Sequence, residues 1–182
     1  HLYECCEYFE SKGIDTLYFN FPWYIPEDEA EKMTDFYEEN YSWLEKPRIR
    51  KRTWESFDFH IDMKLYDDLL AQIHRILEKT WNIRIRFQPD LELSEIEAYL
   101  KGKSEAPSCK ATCLGISNRM DVMPSGNVVS CKKFTEFKMG NLYENDMKDV
   151  WHGETFSKFR ETHNNKLMPI CSKCEILFSN GM

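Results

Sequence analysis

Seven cysteines stand in this 182-residue chain, and five of them fall between Cys109 and Cys174. Cys171 and Cys174 are separated by two residues, a spacing that holds two sulfurs close together across a tight turn, within reach of one metal centre. Cys113 and Cys131 lie near the entry and at the end of a predicted hairpin, so their thiols can point at one spot. Together Cys113, Cys131, Cys171 and Cys174 make two local pairs of thiolates. That donor set holds a tetrahedral zinc or a four-iron cluster, and ligand type does not choose between them. An odd cysteine count fits a disulfide framework poorly. With no secretory leader in the sequence, the expected compartment is reducing, where clustered cysteines bind metal. Cys109 is a competing donor just before Cys113, and Cys5 and Cys6 read as small core or surface residues on a helix.

The other polar candidates form no such constellation. His60, His74, His152 and His163 make no ligand-spaced pair, and His74, beside an apolar helical stripe, reads as a packing residue. Asp58 and Asp62 flank His60 in an alternating stretch that reads as a polar face, with substrate binding as the sharper option. No catalytic residue is identifiable. The net charge of −7 argues against a nucleic-acid partner. The run Lys46, Arg48, Arg50, Lys51 and Arg52 is a local exception: a solvated basic loop, or a patch that docks an acidic peptide or a partner domain. Hydrophobic residues at 42% and charged residues at 30% are a globular composition. No apolar run approaches the roughly 20 residues that cross a bilayer, so the expectation is a soluble, cytoplasmic protein with no membrane partner.

The elements that must position the thiols fall into two textures. Residues 1–103 alternate helix and strand. Leu2, Cys6 and Phe9 recur at helical spacing, and Gly13 is placed to end that helix. Asp15–Phe21 alternates as a strand, with Leu17, Phe19 and Phe21 on one face and Thr16, Tyr18 and Asn20 on the other. Pro26 followed by three acids starts a helix running to about Glu45. Leu65, Leu69, Leu70, Ile73, Ile76 and Leu77 form a helical stripe over about 63–80. Ile83, Ile85 and Phe87 alternate inward along a second strand, and Ser94 starts a further helix. This order is that of βα units with a parallel sheet, too few in strands to close by themselves. From 104 to 182, after a linker at about 103–106, a hairpin turning at Pro124-Ser125-Gly126 is followed by helices at about 146–151 and 155–163, then by the Cys171-x-x-Cys174 pair.

The ordered set Cys113, Gly126, Cys131, Gly140-Asn141-Leu142, Val150-Trp151, Phe156, Phe159-Arg160 and Cys171-x-x-Cys174 resembles the C-terminal region of radical S-adenosylmethionine enzymes. There it is called the SPASM domain or, in its shortened single-cluster form, twitch. No cysteine follows Cys174, which is similar to the shortened form. The resemblance implies an α/β architecture: the C-terminal βα units of a partial TIM-like barrel over 1–103, then a small α+β domain of hairpin and helices over 104–182. It implies that Cys113, Cys131, Cys171 and Cys174 ligate one auxiliary [4Fe–4S] cluster, the spacing to Gly126 favouring Cys113 over Cys109. In the barrel part, Tyr18, Asn20 and the following Trp23 would look toward cofactor and substrate, with a surface loop aromatic as the plainer option for Trp23.

The family's Cys-x3-Cys-x2-Cys motif for the cluster that cleaves S-adenosylmethionine is absent. Cys109 and Cys113 supply its first spacing, but position 116 is Ile116. With His1 in place of an initiator Met, the expectation is a piece of a longer enzyme whose second [4Fe–4S] cluster and S-adenosylmethionine site lie upstream. A piece of that kind would leave strand edges open and could dimerise. The expected role is electron transfer during modification of a peptide or small-molecule substrate, served by an electron donor protein. Lys132, Lys133 and Lys173, each next to a proposed ligand, could offset cluster charge. The alternative expectation is a zinc-stapled structural or binding module without catalysis.

Overall fold

The computed structural model describes residues 1–45, 51–103, 112–164 and 167–180. In chain order the elements are α1 (Leu2–Ser11), β1 (Thr16–Asn20), α2 (Glu27–Tyr41), α3 (Tyr66–Glu78), β2 (Arg84–Gln88), α4 (Leu93–Leu100), α5 (Gly115–Asn118), β3 (Asp121–Val122), β4 (Asn127–Val129), β5 (Lys138–Asn141), α6 (Met147–His152), α7 (Glu154–Asn164) and α8 (Glu175–Asn180). Short 3-10 turns occupy Thr53–Ser56, Met63–Leu65 and Pro169–Lys173. Among the described residues no helix is long and apolar enough to cross a membrane. The architecture is mixed α/β with two small sheets.

The chain forms two compact units, His1–Tyr24 with Phe59–Ser104, and Ile25–Asp58 with Glu105–Met182. It therefore passes between them at residues 24–25 and 58–59 as well as near the expected boundary at 103–104. In the first unit β1 and β2 pair in parallel, in register from Thr16↔Arg84 to Asn20↔Gln88. The alternation read in the sequence is the alternation of the sheet. Phe19 and Phe87 stack with ring centroids 5.4 Å apart, while Tyr18, Asn20, Arg84, Arg86 and Gln88 are exposed on the other face. Gly13, at φ 70°, ends the first helix as its position demanded. The stripe on α3 is broader than the surface that covers it. Ile73 and Ile76 are buried, but Leu65 is 58% and Leu77 59% exposed. His74 is exposed too, so it is not the packing residue expected. Periodicity marks which side chains share a face, while burial depends on what neighbouring elements cover. Trp23 is buried at 7% exposure, not a surface loop aromatic.

The second unit is held by an aromatic core to which the N-terminal half of the chain contributes through α2. Acids in the first turn favour this helix electrostatically, and Ala30, Met33, Phe36, Tyr37 and Tyr41 form its buried face. Phe137, fully buried, is the hub. Its ring centroid lies 5.7 Å from Tyr37, 5.2 Å from Tyr41, 5.2 Å from Phe159 and 6.1 Å from Phe134. Trp54 closes the cluster and donates its indole N–H to Thr34 Oγ1 at 3.0 Å.

Beside this core β3, β4 and β5 form an antiparallel sheet in that order. The expected hairpin is present, with Gly126 at φ 78° in its turn. The third strand, β5, was not legible, being short and carrying a glycine. Gly140 is required by contact: a Cβ there would lie 2.9 Å from a methyl of Val150 on α6. Asn141 accepts the Tyr143 N–H at 2.8 Å and donates to Asn127 at 2.8 Å, which ties the strand end to the hairpin. On α7 the Arg160 guanidinium stacks 4.0 Å from the Trp151 ring and 3.9 Å from the Phe156 ring, and donates to the Trp151 carbonyl at 2.9 Å.

Candidate metal centre

All four predicted ligands belong to the second unit. Cys131 follows β4 at the start of a turn in which its carbonyl accepts the Phe134 N–H at 3.1 Å. The Lys133 and Phe134 amides are also directed at its sulfur. Pro169 opens the 3-10 turn that carries Cys171, and the Cys174 N–H bonds back to the Cys171 carbonyl at 3.0 Å, closing the pair into one loop. The first turn of α8 then directs the Ile176 and Leu177 amides at the Cys174 sulfur. Cys113 sits just ahead of α5. An ideal Cβ on Gly115 would lie 3.4 Å from its sulfur and 3.4 Å from Ile176 of α8, which brings Cys113 to the same end of α8 as Cys174.

The four thiols share one electrostatic environment. Burial pushes the Cys131 thiol up to about 12, and the neighbouring Cys174 and Cys113 sulfurs add to the rise. Cys171 is raised well above an ordinary thiol by burial and then by Cys174, Cys131 and Cys113. Cys174 is raised by burial, with Cys113 among the contributing charges. Raised in this way, the Cys131, Cys171 and Cys174 thiols hold their protons at neutral pH. A metal that binds as thiolates must expel those protons, and its charge must compensate several sulfurs together. The amides aimed at sulfur work in the opposite direction, favouring the thiolate and hence the ligand form.

None of the six described cysteines is in a disulfide. One tetrahedral zinc would draw its sulfurs to about 3.8 Å from one another, given Zn–S bonds of about 2.3 Å. Among the described residues no three His, Cys, Asp or Glu side chains meet at the spacing of one metal ion.

Lysines near the site are largely compensated. Lys173, between Cys171 and Cys174, is 6% exposed, and its ammonium lies 3.1 Å from Glu29 of α2. Lys133 lies 2.7 Å from Glu175, and Lys132 is exposed. Tyr41, fully buried at the end of α2, places its phenol within electrostatic reach of Cys171, and its hydroxyl has no hydrogen-bond partner among the described residues. Glu29 and Tyr41 are the site residues that sequence reasoning missed. They lie about 130 positions or more from the Cys171–Cys174 pair, and no local pattern links them.

The other candidates fall elsewhere. Cys109, Lys46, Arg48 and Arg50 lie outside the described residues. Asp58 is exposed and lies 3.8 Å from Lys51. Asp62 accepts the Lys64 N–H at 3.0 Å as a turn cap, and the His60 ring lies 5.2 Å from that of Tyr24. These residues have ordinary structural partners.

Residues 113–175 match the SPASM family, described as an iron–sulfur cluster-binding domain. The matched stretch opens on Cys113 and includes Cys131, Cys171 and Cys174. The S-adenosyl-L-methionine-dependent 2-deoxy-scyllo-inosamine dehydrogenase of Niallia circulans is 33% identical over 93 residues, which are 47% of this chain and 36% of that relative. The chain thus covers little more than a third of that relative's length. No solved structure matches. Both matches bear out the resemblance to the SPASM-containing part of radical S-adenosylmethionine enzymes.

Proposed function

We propose that this chain is the auxiliary-cluster region of a radical S-adenosylmethionine oxidoreductase, with Cys113, Cys131, Cys171 and Cys174 as the ligands of one [4Fe–4S] cluster. The observation that carries the reading is that Cys113 reaches the end of α8 where Cys171 and Cys174 close their loop, inside the stretch that matches a cluster-binding family. Such a cluster, fully ligated by cysteine, supplies a one-electron acceptor or donor and offers no open coordination site to substrate. The chain's own contribution is to bury the sulfurs, aim backbone amides at Cys131 and Cys174, and set the surrounding charge.

The parallel β1–β2 pair, flanked by helices, supports assigning the first unit to the βα units of a partial barrel. The S-adenosylmethionine site and its cluster would belong to the rest of that barrel. The relative's name is that of a dehydrogenase acting on a small molecule, which favours a small-molecule substrate over a peptide. A dehydrogenation removes two electrons, and the radical step takes only one with its hydrogen atom. The second needs an acceptor of the kind this region would hold, which is then reoxidised by passing that electron to an electron carrier of the cytoplasm.

Anaerobic purification tests the assignment. The expected product is brown, with about four iron and four sulfide per chain, and Cys131→Ser loses most of both. Colourless protein with one zinc per chain overturns the cluster and favours a zinc-stapled module instead.

A further inference from the structure

The family match covers 113–175, yet part of the charge around the sulfur loop comes from α2, at 27–41. Two observations converge there. Lys173 is a cation buried inside the loop that carries Cys171 and Cys174, with its side chain 8% exposed. Glu29 divides its carboxylate between two lysines, one oxygen 2.8 Å from Lys32 and the other 3.1 Å from Lys173.

An uncompensated buried cation beside a redox centre favours the state with more negative charge. A carboxylate on that cation cancels the effect.

We propose that α2 sets the reduction potential of the cluster site from outside the matched domain, Glu29 lowering it by neutralising Lys173. Glu29 is a positioning residue, since it is not a ligand. The inference rests on the cluster assignment above and assigns a new residue to the same site.

The test uses the whole chain, loaded anaerobically with iron and sulfide, with the potential followed by spectroscopic redox titration. Glu29→Gln exposes the cluster to the Lys173 charge and shifts the potential upward. Glu29→Gln combined with Lys173→Met removes both charges and returns the potential toward the parent value, which separates charge from any loosening caused by Glu29→Gln alone. An upward shift in Glu29→Gln that the double variant reverses, at unchanged iron content, supports the proposal. Equal potentials in both variants, or an upward shift that adding Lys173→Met does not reverse, overturn it while leaving the cluster standing. Parent protein that takes up no iron and sulfide overturns both, and iron and sulfide analysis tells the two failures apart.

Discussion

Replacing Gly140 by alanine should destabilise the second unit through a single contact, and Val150→Ala should relieve it. The new Cβ would stand 2.9 Å and 3.1 Å from the two Val150 methyls, about 0.4–0.6 Å short of the roughly 3.5 Å at which carbons pack. Val150 cannot swing aside, because a β-branched side chain in a helix has essentially one rotamer and this one is 5% exposed. Strand β5 is held on its other side by the Val128↔Gly140 pairing with β4. Overpacking of this kind costs about 1–3 kcal/mol. Val150→Ala alone removes two buried methyls, costing about 1.6 kcal/mol in transfer at ~0.8 kcal/mol each plus a cavity contribution. In the double variant the added methyl occupies space the valine vacated. Its stability should therefore lie near that of Val150→Ala alone, a coupling of about 1–3 kcal/mol, well beyond the ~0.3–0.5 kcal/mol expected of independent sites. Urea unfolding followed by circular dichroism, with unchanged m-values, reads the cycle. Additive losses, or a neutral Gly140→Ala, would refute the argument that this glycine exists to let β5 approach α6.

Phe137→Ala, at the hub of the aromatic core, should cost about 3–5 kcal/mol, and Phe137→Leu clearly less; a loss near 1 kcal/mol in thermal unfolding would mean the rings do not share one core. Arg160→Lys keeps the charge but gives up the planar stack on Trp151 and Phe156, and should lower stability by roughly 1 kcal/mol, while an unchanged melting temperature would count against the stack. Cys6 is fully buried and its thiol is pushed up to about 11, by burial first and by Cys5 second. Its folded-state value exceeds the unfolded one, so the stability it contributes is full below about pH 9 and fades as pH rises toward 11. Cys6→Ala should flatten that alkaline slope, and mass spectrometry after brief alkylation at pH 8 should find Cys5 modified and Cys6 intact.

Much of the local structure was legible because its causes are local. Strict alternation gave both parallel strands, Pro26 with its acids gave the start of α2, and Gly126 gave the hairpin. The Cys171–Cys174 spacing was read as a metal-binding pair, and the structure sets both residues in one loop. What could not be read depends on partners distant in the chain. His74 lies on the same helix as Ile73 and Ile76, yet nothing covers it. Strand β5 has too few β-formers to announce itself and exists because β4 offers an edge. Most of all, the apolar face of α2 predicts a buried helix without naming its neighbours. Only the structure shows that Tyr37 and Tyr41 pack against Phe137 and that Glu29 reaches the cysteine loop.

The repeated passage of the chain between its units also bears on its synthesis. Tyr37 leaves the ribosome 100 residues before Phe137, an interval of about 5–20 s at ~5–20 residues per second. Throughout that time the aromatic face of α2 has Trp54 but not Phe134, Phe137 or Phe159 to pack on, and residues 59–103 must fold in between. A nascent chain stalled near residue 103 should therefore present Phe36, Tyr37 and Tyr41 as a chaperone-binding segment. Cutting the chain at that point would leave the C-terminal piece without the helix that completes its core, so the two halves are more fit for co-expression than for separate study.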